Sequence, residues 1–176
     1  MRFFDEIGLE CHFEVGASGF LPGIAIRNGV LFVDPSAPAS NALHEAGHLA
    51  LLLPKFRMKA SGDVSEVFDS MFASLGDLEP DSPVMRAAMA SGDTEATAWA
   101  WAAGVHLGLA HELIIQDDEY DGAGAGIRVM LASGRYAGIH GLAHGGFCAT
   151  KPGALATHLG LPAFPQLNTW LQKDFE

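Results

Sequence analysis

The sequence predicts a mixed α+β domain, mostly helical, with a small β-hairpin near its start. Three observations carry this. In the segment "GIAIRNGVLFVDP", Ile24, Ile26, Val30, Leu31, Phe32 and Val33 flank Asn28-Gly29, a dipeptide that accepts the positive φ values of a tight hairpin turn. Ala and Leu, strong helix formers, dominate the middle and the C-terminal half. The 176 residues are 49% hydrophobic and 18% charged, enough apolar material for one sizeable core.

Taken in order, a short strand near "CHFEV" precedes the hairpin, and "PSAPASNALHEAGHLALLL" follows it as a helix. Ser36 or Ser40 is expected to cap that helix and Pro54 to end it. "PKFRMKASGD" is a loop with a local basic cluster, Lys55, Arg57 and Lys59. "VSEVFDSMFASL" repeats apolar residues at helical spacing, "GDLEPDSP" turns, and "VMRAAMA" forms a further short helix. The longest helix is expected over "DTEATAWAWAAGVHLGLAHELII", capped by Asp93 or Thr94. "QDDEYDGAGAG" reads as a flexible solvated loop, a candidate lid. Helices are then expected through "IRVMLASG", "RYAGIHGLAHGG" and the tail "LPAFPQLNTWLQK". Trp99, Trp101 and Trp170 read as core. No solenoid-period repeat and no linker divides residues 1–176, so one domain is expected.

Charge narrows the function. With 21 acidic and 10 basic residues the net charge is -11, without the basic footprint that nucleic acid binding needs. The longest apolar run, "LALLLP", is too short to span a bilayer, and the N-terminus lacks a signal-peptide core. The two cysteines form no CxxC pair. These features lead us to expect a cytoplasmic protein that binds neither nucleic acid nor membrane.

The chemistry concentrates in "HEAGH". On a helix, His44 and His48 share a face and can offer two imidazole nitrogens to one ion. Glu45, rotated by about 100°, stands beside such an ion in position to act as a base. This is the H-E-x-x-H pattern of zinc peptidases. A third protein ligand is needed. The glycine and third histidine of the metzincin form are absent, since Leu51 and Pro54 stand in their places. Cys11 lies upstream, as a peptide deformylase's ligand does, but without that family's accompanying motifs. We therefore expect the third ligand from a later helix, with Glu95 chosen ahead of Asp93, Asp69 and His111.

HEAGHLALL followed by the helix "EATAWAWAAG" resembles the ImmA/IrrE-type zinc metallopeptidases. The likeness covers roughly residues 20–108. It implies a zincin-like domain with the hairpin packed on the H-E-x-x-H helix. It also implies Zn2+ on His44, His48 and Glu95, with Glu45 activating water. The implied substrate is a protein or peptide, in that family a repressor-like transcriptional regulator. The segment between His48 and Glu95 is longer than in that family, and the region after residue 116 matches nothing in it. Two other readings follow: a catalytically silent zincin-like binding or regulatory module, and a zinc hydrolase of a small amide. Tyr136, His140 and His144, spaced by four, are further candidates for oxyanion or substrate contacts, and the two histidines for a second metal site.

Overall fold

The computed structural model describes residues 2–175. The chain opens with helix α1 (Arg2–Ile7) and strand β1 (Cys11–Phe13), then the hairpin β2 (Ile24–Arg27) and β3 (Val30–Val33). Helices α2 (Ala39–Leu51), α3 (Pro54–Arg57), α4 (Val64–Leu75), α5 (Pro83–Met89) and α6 (Asp93–His106) follow. The remainder comprises α7 (His111–Ile114), the single turn α8 (Glu119–Gly122), α9 (Gly124–Ala132), α10 (Ala137–His144) and α11 (Ala154–Leu159). The class is α+β.

The hairpin forms where the sequence places it. Asn28 and Gly29 both take positive φ, 51° and 78°, and β2 pairs antiparallel with β3 in the register Ile24↔Val33 to Arg27↔Val30. β1 joins the other edge of β3 in parallel, giving the order β1-β3-β2. The turn is held from outside: Gly29 N–H donates to the Ala60 carbonyl and Asn28 N–H to Ser61 Oγ.

Helix α2 is buried along nearly its whole length, so its burial comes from both sides. The sheet covers one side. On the other, α6 crosses so closely that a Cβ on Gly47 would lie 2.7 Å from the Ala96 carbonyl oxygen. Helix α6 has almost no polar face from Ala96 to Gly104, because α2 and α10 pack against it and Trp99 and Trp101 fill the space around it. The tail closes the back of this pair. Trp99 Nε1 donates to the Trp170 carbonyl (2.9 Å), and Gln172 N–H donates to Ala50 O (2.8 Å).

Arg57 caps the far end of α2. Its guanidinium donates to the carbonyls of Leu49, Ala50, Leu52 and Gln172, satisfying oxygens that a helix end leaves without partners. Burial pulls its pKa down to about 10, still far above neutral. Arg57, expected as part of a basic loop, is thus a structural clamp at the end of the short helix α3.

Several boundaries differ from expectation. The long helix stops at His106, where Gly108 takes φ 70° and Leu109 N–H returns to the Gly104 carbonyl; α7 is a separate turn. Gly92 and Pro38, not the expected side-chain caps, precede α6 and α2, and neither makes a side-chain capping bond. Among the described residues, the tail beyond Leu161 forms no helix; the helix of this region is α11, and α1 was unforeseen. Residues 117–123 are not a plain loop, because α8 holds Tyr120 and Asp121 at φ 54° and 57°. No helix among the described residues is long and apolar enough to cross a membrane.

Candidate metal centre

Helical spacing brings His44 and His48 together, as the pattern HEAGH implies. Their rings meet edge-on at 4.7 Å between centroids, and their Nε2 atoms lie 3.1 Å apart. Asp93 completes the group from the first turn of α6. Its Oδ1 sits 3.2 Å from His44 Nε2 and 3.6 Å from His48 Nε2. Among the described residues, His44, His48 and Asp93 form a group whose ligand atoms converge within 4.8 Å.

The triangle can be tested against an ion. Zinc takes nitrogen and carboxylate oxygen at about 2.0–2.1 Å in a tetrahedron, whose edges are then about 3.3 Å. The three measured edges bracket that value. A circle through the three atoms has a radius of about 1.9 Å, so one point just off their plane lies at zinc's bond length from all of them. The imidazole side chains are 13% and 10% exposed and the Asp93 side chain 66%, so the triangle is walled by the histidines and open at Asp93. These residues fit a zinc-type ion with one position left open.

Glu95 is not in the triangle, and the reason is helical geometry. Asp93 and Glu95 are two residues apart on α6, about 200° around its axis, so a helix that points one at α2 points the other away. Glu95 lies instead against Gly141 of α10, and its carboxylate accepts from Thr94 Oγ1 (3.0 Å). It lines a separate cavity of about 620 Å³ with His140, His144, Met85 and Met89. Asp93, one of the rivals named from the sequence, occupies the position expected of Glu95. Of the other rivals, Asp69 is exposed, His111 packs on Trp101 at 4.4 Å, and Cys11 is buried in β1. Burial pushes the Cys11 thiol up to about 11, away from the thiolate a metal needs.

His140 and His144 are exposed on α10, in a cavity that shares no lining residue with those at the triangle. They are not placed to contact a substrate held there. Tyr136 is buried at the N-cap of α10, with its hydroxyl toward Thr97 of α6.

Two cavities flank Asp93. One, of about 320 Å³, is lined by Glu45, His48, Asp63, Val64 and Phe68. Glu45 is 4% exposed, and its pKa is raised above the ordinary 4.5, first by burial and then by the nearby charges of Asp63 and Asp93, with His44 opposing. A carboxylate moved toward neutrality is better matched to proton transfer. The other cavity, of about 250 Å³, sets Leu21, Ile114 and Ile115 beside His44, Glu119 and Tyr120. Phe20 borders both.

Burial lowers the His48 pKa from its ordinary 6.5, which favours the neutral imidazole that a metal needs. Its Nδ1 is buried without a hydrogen-bond partner. His44 differs: its Nδ1 lies 3.2 Å from the Tyr120 hydroxyl, which lies 3.0 Å from Thr97 Oγ1, which donates to the Asp93 carbonyl at 3.0 Å. Tyr120 was missed in the sequence because it sits in a segment rich in Asp and Gly. Its left-handed backbone costs on the order of 1–2 kcal/mol, as does that of Asp121. The segment is tied down by Gln116, whose N–H donates to Glu119 Oε2 (3.0 Å) and whose amide donates to Ser40 Oγ (3.1 Å) on α2. Ser40, expected as a cap, is thus a tether.

No protein-family model matches this chain, no curated protein matches it, and no solved structure matches its fold, so the functional reading stands on the residues and geometry of this site.

Proposed function

We propose that the chain is a zinc-dependent hydrolase of peptide bonds. The observation that carries this is the His44–His48–Asp93 triangle, whose edges match one face of a zinc tetrahedron, with buried Glu45 lining the adjoining cavity. Bound zinc supplies a Lewis acid that polarises the scissile carbonyl and acidifies water. The chain does the rest. His44 and His48 hold neutral nitrogens inward from a rigid helix, and Asp93 supplies the negative charge. Glu45 accepts the proton of the attacking water at a carboxylate oxygen and returns it to the departing amine nitrogen.

The flanking cavities support a peptide rather than a small amide. Both are lined by Asp93, one with Leu21, Ile114 and Ile115 and one with Glu45 and Asp63, so an extended substrate crossing the site would occupy both. In this reading the fold is zincin-like, with the hairpin sheet behind the H-E-x-x-H helix, and the ImmA/IrrE resemblance points to a cytoplasmic regulator as substrate. That resemblance is amended in one respect: aspartate replaces glutamate as third ligand.

Glu45→Gln tests the reading. The variant should bind zinc as the parent does and lose peptide hydrolysis by roughly 10²–10⁴-fold, measured by mass spectrometry on a mixed peptide library. Undiminished cleavage by the variant rules out this mechanism. Zinc binding by the parent with no cleavage of any peptide favours a silent binding module.

A further inference from the structure

We infer that Tyr120 and Thr97 are positioning residues that fix the tautomer of His44, leaving its Nε2 lone pair free for a metal. The inference comes from counting protons along one hydrogen-bonded chain. It starts at the Asp93 carbonyl oxygen, which can only accept. Thr97 Oγ1 donates its single proton there. Thr97 therefore has no proton for Tyr120 and must accept from the Tyr120 hydroxyl. Tyr120 has then spent its own proton and must accept from His44 Nδ1. His44 accordingly carries hydrogen on Nδ1, and in the neutral ring that a metal requires, Nε2, the atom facing Asp93 and His48, is the bare nitrogen. The Tyr136 hydroxyl, which also faces Thr97, meets the second lone pair of Oγ1 and does not alter the count.

The direction of the chain follows from its end, and its geometry from its anchors. Thr97 is fully buried, one turn along α6 from Asp93, so it also connects two of the three ligands. Tyr120 reaches His44 because residues 120 and 121 hold left-handed backbone, with Gln116 fastening the segment to Ser40. A side chain maintained in an uncommon backbone conformation beside a ligand signals a positional requirement. His48 differs, since its Nδ1 has no partner and no side chain positions it from behind. The segment from Gln116 to Gly122 is therefore part of the metal centre and not a detached lid.

The inference rests on the metal reading of the triangle but not on hydrolysis, and its readouts are separate from catalysis. Nitrogen chemical shifts of the histidines in metal-free protein, at roughly pH 8 where ordinary imidazoles are neutral, report the tautomers directly. His44 should be protonated at Nδ1. Thr97→Val, close in shape, removes the acceptor of the Tyr120 proton and turns that proton toward His44 Nδ1. His44 should then shift toward the Nε2-protonated form. Zinc affinity should fall by roughly 10–100-fold in Thr97→Val and in Tyr120→Phe, although neither residue is a ligand. Circular dichroism confirms that each variant is folded. A neutral His44 with its hydrogen on Nε2 in the parent protein, or a folded Thr97→Val variant with the parent's tautomer and zinc affinity, overturns the inference. A protein that hydrolyses nothing leaves it standing.

Discussion

Helix α6 presents a carboxylate to a histidine pair on each of two sides, and the two sides end differently. Toward α2, Asp93 meets His44 and His48 at 3.2 and 3.6 Å. Toward α10, Glu95 shares a cavity with His140 and His144, again spaced by four. The first set converges on a point; the second is not among the groups close enough to hold an ion. Sequence spacing alone does not separate them, since each has a His-x-x-x-His pair on one helix and an acid on a neighbour. The difference is burial and backing. His48 is buried, and His44 is mostly buried with a hydrogen-bonded chain behind its outer nitrogen. His140 and His144 face solvent. A metal site needs ligands held in place as well as ligand residue types.

The largest expected effect breaks this comparison directly. Asp93→Ala should lower zinc affinity by more than the roughly 100-fold that loss of an outer-shell partner causes, whereas Glu95→Ala should change it by less than about threefold. Isothermal titration with zinc reads both. Equal losses would place the two acids on an equal footing and remove the distinction between the two sides.

The next effect is steric. Gly47 of α2 and Gly141 of α10 each let α6 approach, but they face different obstacles. A methyl group at Gly47 meets Ala96 backbone, while one at Gly141 meets the Glu95 side chain. Gly47→Ala should therefore separate α2 from α6, widen the triangle and destabilise the fold by about 1–3 kcal/mol, less what alanine's helix propensity restores. Gly141→Ala should cost less and leave zinc affinity intact, because a side chain can move where backbone cannot. Chemical denaturation and zinc titration together check the pair.

The smallest effect concerns pH. The folded pKa of His48 is lowered from 6.5, so between its folded value and 6.5 the unfolded chain binds more protons than the native one. Metal-free stability should therefore fall as pH drops below about 6.5 and level off below the folded value. Glu45 acts oppositely: its raised pKa adds stability below 4.5 that is lost as pH rises through the folded value. His48→Gln should flatten the change near pH 6 in denaturation curves.

These contrasts also explain what could be read from the sequence. The hairpin was legible because Asn28-Gly29 is a local turn signal, and α2 because its apolar residues recur at helical spacing around the two histidines. The choice between Asp93 and Glu95 was not legible. Both are acids in one helical turn, and the face that α6 turns toward α2 is decided by the Gly47–Ala96 crossing, a contact between residues far apart in sequence. Tyr120 was hidden for a similar reason. Its segment has the composition of a solvated loop, and its role arises from tethers to Ser40 and Thr97 that local sequence does not announce. Helix α11 and the end of α6 at His106 show the same limit, with Gly108 stopping a run of otherwise good helix formers.

Zinc K-edge X-ray absorption on the zinc-loaded protein and its His48→Ala variant tests the central claim most directly. The account predicts one zinc per chain with two imidazoles and oxygen ligands at about 2.0–2.1 Å, and one imidazole fewer in the variant. Two imidazoles persisting after His48→Ala, or sulfur in the coordination shell of the parent, would contradict it.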